Sequence, residues 1–310
     1  MKTLKATGKL LLLCVAAAPL ALTHLACGGG NENLPPPPPP PAAPPEASSA
    51  PPAPSAPASA ASAEPTPPPA PPVTLTQAAP SAVAPDPTPP LPTVKILAPA
   101  KDAVIPSAKA GDTQVKLDVK NWKTAKGDAH VHLILDDGPY KPIFDPKGEV
   151  VKLSDLAGGT PLADGQHILV AFPSRANHES VKTAGAVAVV PFWVGKKGEK
   201  AQDTTKPMLI ASRPKGEYKG DMANHVLVDF QLQNVTLAQG KDHVHITVTG
   251  PGIPDPGLTA DANQFGPPFY LDNLHDGSYT VKLELLGSDG KQLPGSWNSA
   301  TRQITISHGP

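Results

Sequence analysis

Gly127-Asp128-Ala129-His130-Val131-His132-Leu133-Ile134-Leu135 and Gly240-Lys241-Asp242-His243-Val244-His245-Ile246-Thr247-Val248 are one pattern written twice. Each opens on a turn glycine and runs through His-Val-His into an apolar stretch. A second pair follows the same rule: Leu162-Ala163-Asp164-Gly165-Gln166-His167 corresponds to Leu274-His275-Asp276-Gly277-Ser278-Tyr279. The members of the two pairs lie 113 and 112 residues apart, and so constant an offset identifies a tandem duplication.

Within each copy the apolar residues follow a period of two. Val115, Leu117 and Val119 alternate with Lys116, Asp118 and Lys120, and Val226, Val228, Phe230 and Leu232 alternate in the same way, which is the signature of strands. Turn signals recur about every ten residues, and no capped amphipathic helix of useful length interrupts them. The fold class expected is all-β: two tandem antiparallel β-sandwiches, copy one over residues 93–195 and copy two over residues 206–310. Each has about 100 residues, enough for a self-sufficient core without disulfides. The hydrophilic join between them carries Lys196, Lys197, Glu199 and Lys200. It reads as an exposed linker that lets the sandwiches move independently.

Leu-x-Asp-Gly-x-Tyr at Leu274 to Tyr279 resembles the turn into strand F of immunoglobulin-like and fibronectin type III domains. The resemblance implies that Gly277 makes the permissive turn, with Gly165 as its counterpart, and that Tyr279 bonds back to the backbone of the preceding loop. The openings Val94-Lys95-Ile96-Leu97-Ala98-Pro99 and Leu209-Ile210-Ala211-Ser212-Arg213-Pro214 are similar to the first strand and proline break of bacterial immunoglobulin-like modules. A resemblance of this kind implies a fold and no activity.

The amino-terminal third is different in kind. Of 310 residues 43 are proline, and most precede Pro92. Lys2, Lys5 and Lys9 come before an apolar run from Leu10 to Leu22, too short to span a bilayer, so residues 1–26 read as a signal peptide. Leu22-Thr23-His24-Leu25-Ala26-Cys27-Gly28-Gly29-Gly30 resembles the bacterial lipobox, with His24 standing where that pattern carries leucine. The resemblance implies lipidation of Cys27, and Gly28 is similar to the residue that follows the cysteine in lipoproteins sent to the outer membrane. An outer-membrane, lipid-anchored protein facing the periplasm or the cell surface is therefore expected, with the membrane as one partner and an envelope protein or the peptidoglycan layer as another. Residues 27–92 read as a Pro/Ala/Ser-rich disordered linker. From Leu34 to Pro92, fully extended as polyproline II at about 3.1 Å per residue, it reaches on the order of 150 Å or more.

A net charge of −1 excludes a nucleic-acid partner, which requires a basic surface. The two cysteines, Cys14 and Cys27, leave the sandwiches without thiol chemistry. No Gly-x-Ser-x-Gly elbow, phosphate loop or His-Glu-x-x-His pair occurs, so no catalytic residue is expected. What stands out is ten histidines. Residues two apart on a strand share a face, which puts His130 and His132 together, opposite Val131, Leu133 and Leu135. Two imidazoles about 7 Å apart along a strand can share one metal. His167 and His178 complete a candidate set in copy one for copper or zinc; copy two has Tyr279 in place of His167 and no counterpart of His178. Copy one also resembles small bacterial periplasmic domains of unknown function that carry a His-x-His strand, a later Gly-x-His turn and a downstream histidine. The competing reading needs no cofactor: the histidines pack on half-exposed strand faces, and His167 serves where Tyr279 serves. Two functions follow from these readings. One is a non-catalytic binding or structural module of the cell envelope; the other is a periplasmic copper- or zinc-binding protein.

Overall fold

The computed structural model describes residues 70–79, 84–199 and 201–309. The expected signal peptide, Cys27 and the linker as far as residue 69 lie outside the described residues.

In chain order the strands are β1 (Thr74–Gln77), then for copy one β2 (Thr93–Ala98), β3 (Val104–Ile105), β4 (Gln114–Lys120), β5 (His130–Leu135), β6 (Lys141–Ile143), β7 (Val151–Lys152), β8 (Gly165–Ser174) and β9 (Ala188–Val194). Copy two follows with β10 (Met208–Arg213), β11 (Gly216–Lys219), β12 (His225–Gln233), β13 (His243–Thr249), β14 (Leu258–Ala262), β15 (Phe269–Asp272), β16 (Gly277–Leu286) and β17 (Ser299–Ser307). In copy one, sheet β2-β4-β7 faces sheet β3-β9-β8-β5-β6; in copy two, β10-β12-β15 faces β11-β17-β16-β13-β14. The two copies therefore share one strand order, A-B-E against A′-G-F-C-C′, which is the immunoglobulin-like arrangement. The first strand bulges at the same place in each, between Ile96 and Ala98 and between Ala211 and Arg213, before crossing to the opposite sheet. There it pairs parallel to the last strand, β3 with β9 and β11 with β17. These are the parallel exceptions in sandwiches otherwise antiparallel.

Each sandwich buries its own alternating residues. Val131, Leu133, Leu135, Leu169, Ala171 and Phe192 belong to the core of copy one, and Val226, Val228, Phe230, Val244, Val281 and Leu283 to that of copy two. A third apolar cluster belongs to neither interior. Ile134, Tyr140, Ile168, Val170 and Phe172, on the outer face of the β8-β5 sheet, meet Met208 and Ile210 from the outer face of β10. The sandwiches are therefore docked face to face, and the expectation of independent motion is corrected. Arg302 reaches across to Asp137 at 2.6 Å, Gln231 Nε2 donates to the Val181 carbonyl at 2.7 Å, and Lys182 pairs with Asp229 at 2.5 Å. Asp229 and Gln231 look like solvent positions in an alternating strand, yet both are buried, because the neighbouring sandwich supplies their partners.

The expected linker is also corrected at its carboxyl end. β1 pairs antiparallel with β15, from Thr74 opposite Asp272 to Gln77 opposite Phe269, and so becomes the outer strand of the β10-β12-β15 sheet. Val73 is buried in the core of copy two and Leu75 packs against it. The physical reason is plain in Val73-Thr74-Leu75-Thr76: even inside a proline-rich segment, two alternating apolar side chains meeting an unpaired sheet edge have somewhere to go. A chain beginning at Thr93 is expected to lose about 2 kcal/mol or more of stability, the worth of one buried valine and a half-buried leucine. A chain beginning at Thr66 should match the full protein, with urea unfolding as the measurement.

Candidate metal centre

The site begins with register. In β5, His130 lies opposite Ser174, His132 opposite Phe172 and Leu133 opposite Ala171 of β8. Opposed residues of an antiparallel pair share a face, so His130 and His132 stand on the outer face, beside Phe172. Just past Ser174 the chain folds back on itself: the Arg175 N–H donates to the Glu179 carbonyl, and Ser174 bridges Ser180. His178 sits in this hairpin at φ 69°, a left-handed conformation uncommon for side chains other than Gly, Asn, Asp and His. Because Ser174 is the partner of His130, the hairpin hangs directly over His130.

Three ring nitrogens converge there, one each from His130, His132 and His178, all within 4.8 Å of one another. His130 Nδ1 lies 2.8 Å from the Asp128 carbonyl and must donate to it, which leaves Nε2 with a free lone pair. His178 Nδ1 stands 3.0 Å from that Nε2 and is the donor. The Trp122 indole N–H fixes the strand from the other side by donating to the His130 carbonyl at 3.0 Å. His132 is the exception. It is 0% exposed, stacked on Tyr140 with ring centroids 3.5 Å apart and flanked by Phe172, and neither ring nitrogen has a hydrogen-bond partner. An unpartnered buried imidazole costs about 1–3 kcal/mol, so its retention calls for a partner that hydrogen bonding within the protein does not supply.

Burial first, then the neighbouring histidines and the positive charges of Arg213 and Lys215 from copy two, hold His132 well below the usual histidine range. His130 is also lowered, chiefly by burial, and His178 is pushed down to about 3 by burial and by Arg213. All three are therefore neutral imidazoles at neutral pH, the form that can ligate a metal. The unfolded chain takes up protons below about pH 6.5 that these folded imidazoles refuse. The metal-free protein is thus expected to keep their full contribution above about pH 6.5. It should lose stability as pH falls below that, at up to about 1.4 kcal/mol per pH unit per histidine. Urea midpoints taken between about pH 7.5 and about pH 5 should show this slope, and a His132→Phe variant should flatten it. His167 works in the opposite sense. Its hydrogen bond to Asp136 raises its pKa, so its contribution is present at low pH and is lost as pH rises through its folded value.

His167 is not part of the cluster, and here the expected ligand set is corrected. It lies on the same face of β8 as Leu169 and Ala171, the interior face, stacked near Phe192. Its Nδ1 meets the Asp136 carboxylate and its Nε2 the Ala163 carbonyl, four residues back, at 2.8 Å. In copy two the Tyr279 hydroxyl reaches back the same four residues: it accepts the His275 N–H at 2.8 Å and shares its one proton between the Pro251 carbonyl at 2.8 Å and the His275 carbonyl at 3.1 Å. His167 therefore stands in for a corner tyrosine. Gly165 and Gly277 precede these two residues with φ of 140° and 135°, and a Cβ on Gly277 would come within 2.8 Å of Pro251. Asp136, in the turn that follows β5, holds both His167 and the Ile168 N–H. Tyr140, Arg213 and Lys215 shape the site and were not singled out by sequence, since two of them come from the other copy.

Copy two repeats the strand but not the centre. His243 Nδ1 lies 3.0 Å from the Lys241 carbonyl, as His130 does from Asp128, whereas His245 is held by Asp261 at 2.6 Å. No third histidine joins them among the described residues.

No known family model matches the chain. No curated protein matches it either. Among solved structures, the fibronectin(III)-like modules of Clostridium thermocellum CbhA match at 16% identity and a TM-score of 0.23, covering 70% of this chain and 95% of that one. The two tandem V-type regions of VCBP3, a v-region-containing chitin binding protein, match at 11% identity and 0.21, covering 70% and 99%. The FN1–FN3 domains of chicken CNTN1 match at 10% and 0.22, covering 70% and 68%. Likenesses this distant carry no function across, and the fold rests on the strand order above.

Proposed function

We propose that this chain is a non-catalytic metal-binding module of a bacterial cell envelope, lipid-anchored through Cys27 at the outer membrane and holding copper or zinc between its two sandwiches. One observation carries the reading: His132 is wholly buried with both ring nitrogens unpartnered, beside two further imidazole nitrogens turned toward the same point. The surroundings support it. Metal-bound histidines usually donate their second N–H to a carbonyl or carboxylate, and His130 does so to Asp128. The enclosure also suits a holding role: Tyr140 and Phe172 of copy one wall the site, Arg213 and Lys215 of copy two close over Tyr140, and His178, on its hairpin, is the ligand nearest solvent.

Equilibrium dialysis of the full chain against Cu(II) and Zn(II), with metal analysis of the retained protein, tests the reading. One equivalent per chain is expected, lost on His178→Ala, a substitution of a half-buried hairpin residue that belongs to none of the apolar clusters. Retention unchanged in that variant and in His130→Ala/His132→Ala would end the metal reading and leave a tandem sandwich serving the envelope as a structural or protein-binding module.

A further inference from the structure

On the reading that the three imidazoles hold a metal, we propose that the ion is monovalent copper, bound by three nitrogens without a fourth protein ligand, and that the site discriminates against zinc. The donor set is the first ground. Among the described residues the cluster comprises His130, His132 and His178 and no carboxylate or thiolate, so a bound ion keeps its whole charge. Zinc in proteins is almost always four-coordinate, and the walls here are the rings of Phe144, Tyr140 and Phe172. Imidazole nitrogens suit copper, and a closed-shell monovalent ion is content with three of them.

Charge is the second ground. The cost of taking an ion from water rises with the square of its charge, so a divalent ion forfeits about four times the hydration of a monovalent one. Neutral donors do little to offset it. The charged side chains that copy two turns toward the cluster, Arg213 and Lys215, are both cationic; Lys215 Nζ sits over the Tyr140 ring at 3.5 Å and Arg213 at 5.2 Å. They repel a double charge twice as strongly as a single one.

Geometry permits the arrangement. With metal–nitrogen bonds of about 2.0 Å, a trigonal site needs nitrogens about 3.5 Å apart. His130 Nε2 and His178 Nδ1 are now 3.0 Å apart, and all three nitrogens lie within 4.8 Å. A shift of about an ångström in the His178 hairpin, with its ring proton moving from Nδ1 to Nε2, completes the site. No proton leaves the protein.

The experiment is a pair of competition titrations on the full chain: Cu(I) under anaerobic, reducing conditions against bicinchoninate, and Zn(II) against a zinc-responsive dye, for the wild type and His132→Phe. Cys14 and Cys27 are present in both proteins, so copper held by thiols cancels in the comparison. Expected are one difference equivalent of Cu(I), affinity for Cu(I) at least about 100-fold above that for Zn(II), and a loss of at least about 100-fold in Cu(I) affinity on His132→Phe. Zinc bound at the histidines as tightly as Cu(I) would overturn the monovalent assignment and leave the metal reading standing. No difference between wild type and variant for either ion would overturn both.

Discussion

Replacing Lys182 by methionine should cost about 3–5 kcal/mol and loosen the two sandwiches from each other. Of the two charged pairs that cross between the copies, Lys182 and Asp229 are the more deeply buried, 2.5 Å apart with side chains 6% and 0% exposed, against 15% and 22% for Arg302 and Asp137. Asp229 also accepts the Ser180 N–H at 2.8 Å, and Lys182 donates to Ser180 Oγ at 3.1 Å. Methionine keeps the length and apolar stem of lysine, so what is removed is the cation alone. The carboxylate is left in a place from which water has been excluded, and the loss is far larger than that of a surface pair. Urea unfolding followed by tryptophan fluorescence should shift to lower denaturant, and limited proteolysis should open the join between the copies. Lys182→Met combined with Asp229→Leu should recover most of the loss, since a buried pair is often no better than apolar residues of the same shape. A single variant within about 1 kcal/mol of wild type would place the pair in solvent.

The second large effect has an unusual sign. His132→Phe is expected to make the metal-free protein more stable, by about 1–3 kcal/mol. It removes two buried polar atoms with no partner and keeps an aromatic ring between Tyr140 and Phe172. His130→Phe, one register step away, should instead destabilise, because it abandons the Asp128 carbonyl and the His178 N–H. With metal present at about a thousand times its dissociation constant, the wild type gains about 4 kcal/mol that the His132→Phe protein cannot. The order of stability then reverses. A histidine kept only for packing would show the gain without metal but no reversal with it, and thermal unfolding with and without metal reads both.

Much of this molecule is legible in its sequence, and the reasons are local. The constant offset between the two His-Val-His strands announces the duplication, and the two-residue period announces strands. The shared face of His130 and His132 follows from that period alone. Exclusion of His167 from the cluster depends on something no single strand carries, the pairing of His132 with Phe172, which puts odd-numbered residues of β8 on the interior face. The docked seam left a readable trace in the unbroken apolar runs Ile168-Leu169-Val170-Ala171-Phe172 and Met208-Leu209-Ile210-Ala211, since strands apolar at every position are buried on both sides. Asp229 and Gln231 hid the same fact in β12, because a polar residue that finds its partner on another domain looks no different in sequence from one that faces water. β1 was obscured by its surroundings, two alternating apolar residues amid prolines.

That short strand decides which end of the folded body takes a pull. On the proposed anchorage at Cys27, tension from the membrane arrives not at Thr93, where copy one begins, but at the four residues Thr74 to Gln77 laid along the edge of copy two. The carboxyl-terminal sandwich is thus the one moored, and the earlier sandwich hangs from it. Under load the β1 ladder should peel before either core yields, releasing the segment up to Thr93, about 60 Å of chain at roughly 3.1 Å per residue. The strand would act as a mechanical fuse, lengthening the tether under strain while the histidine centre in the seam stays closed.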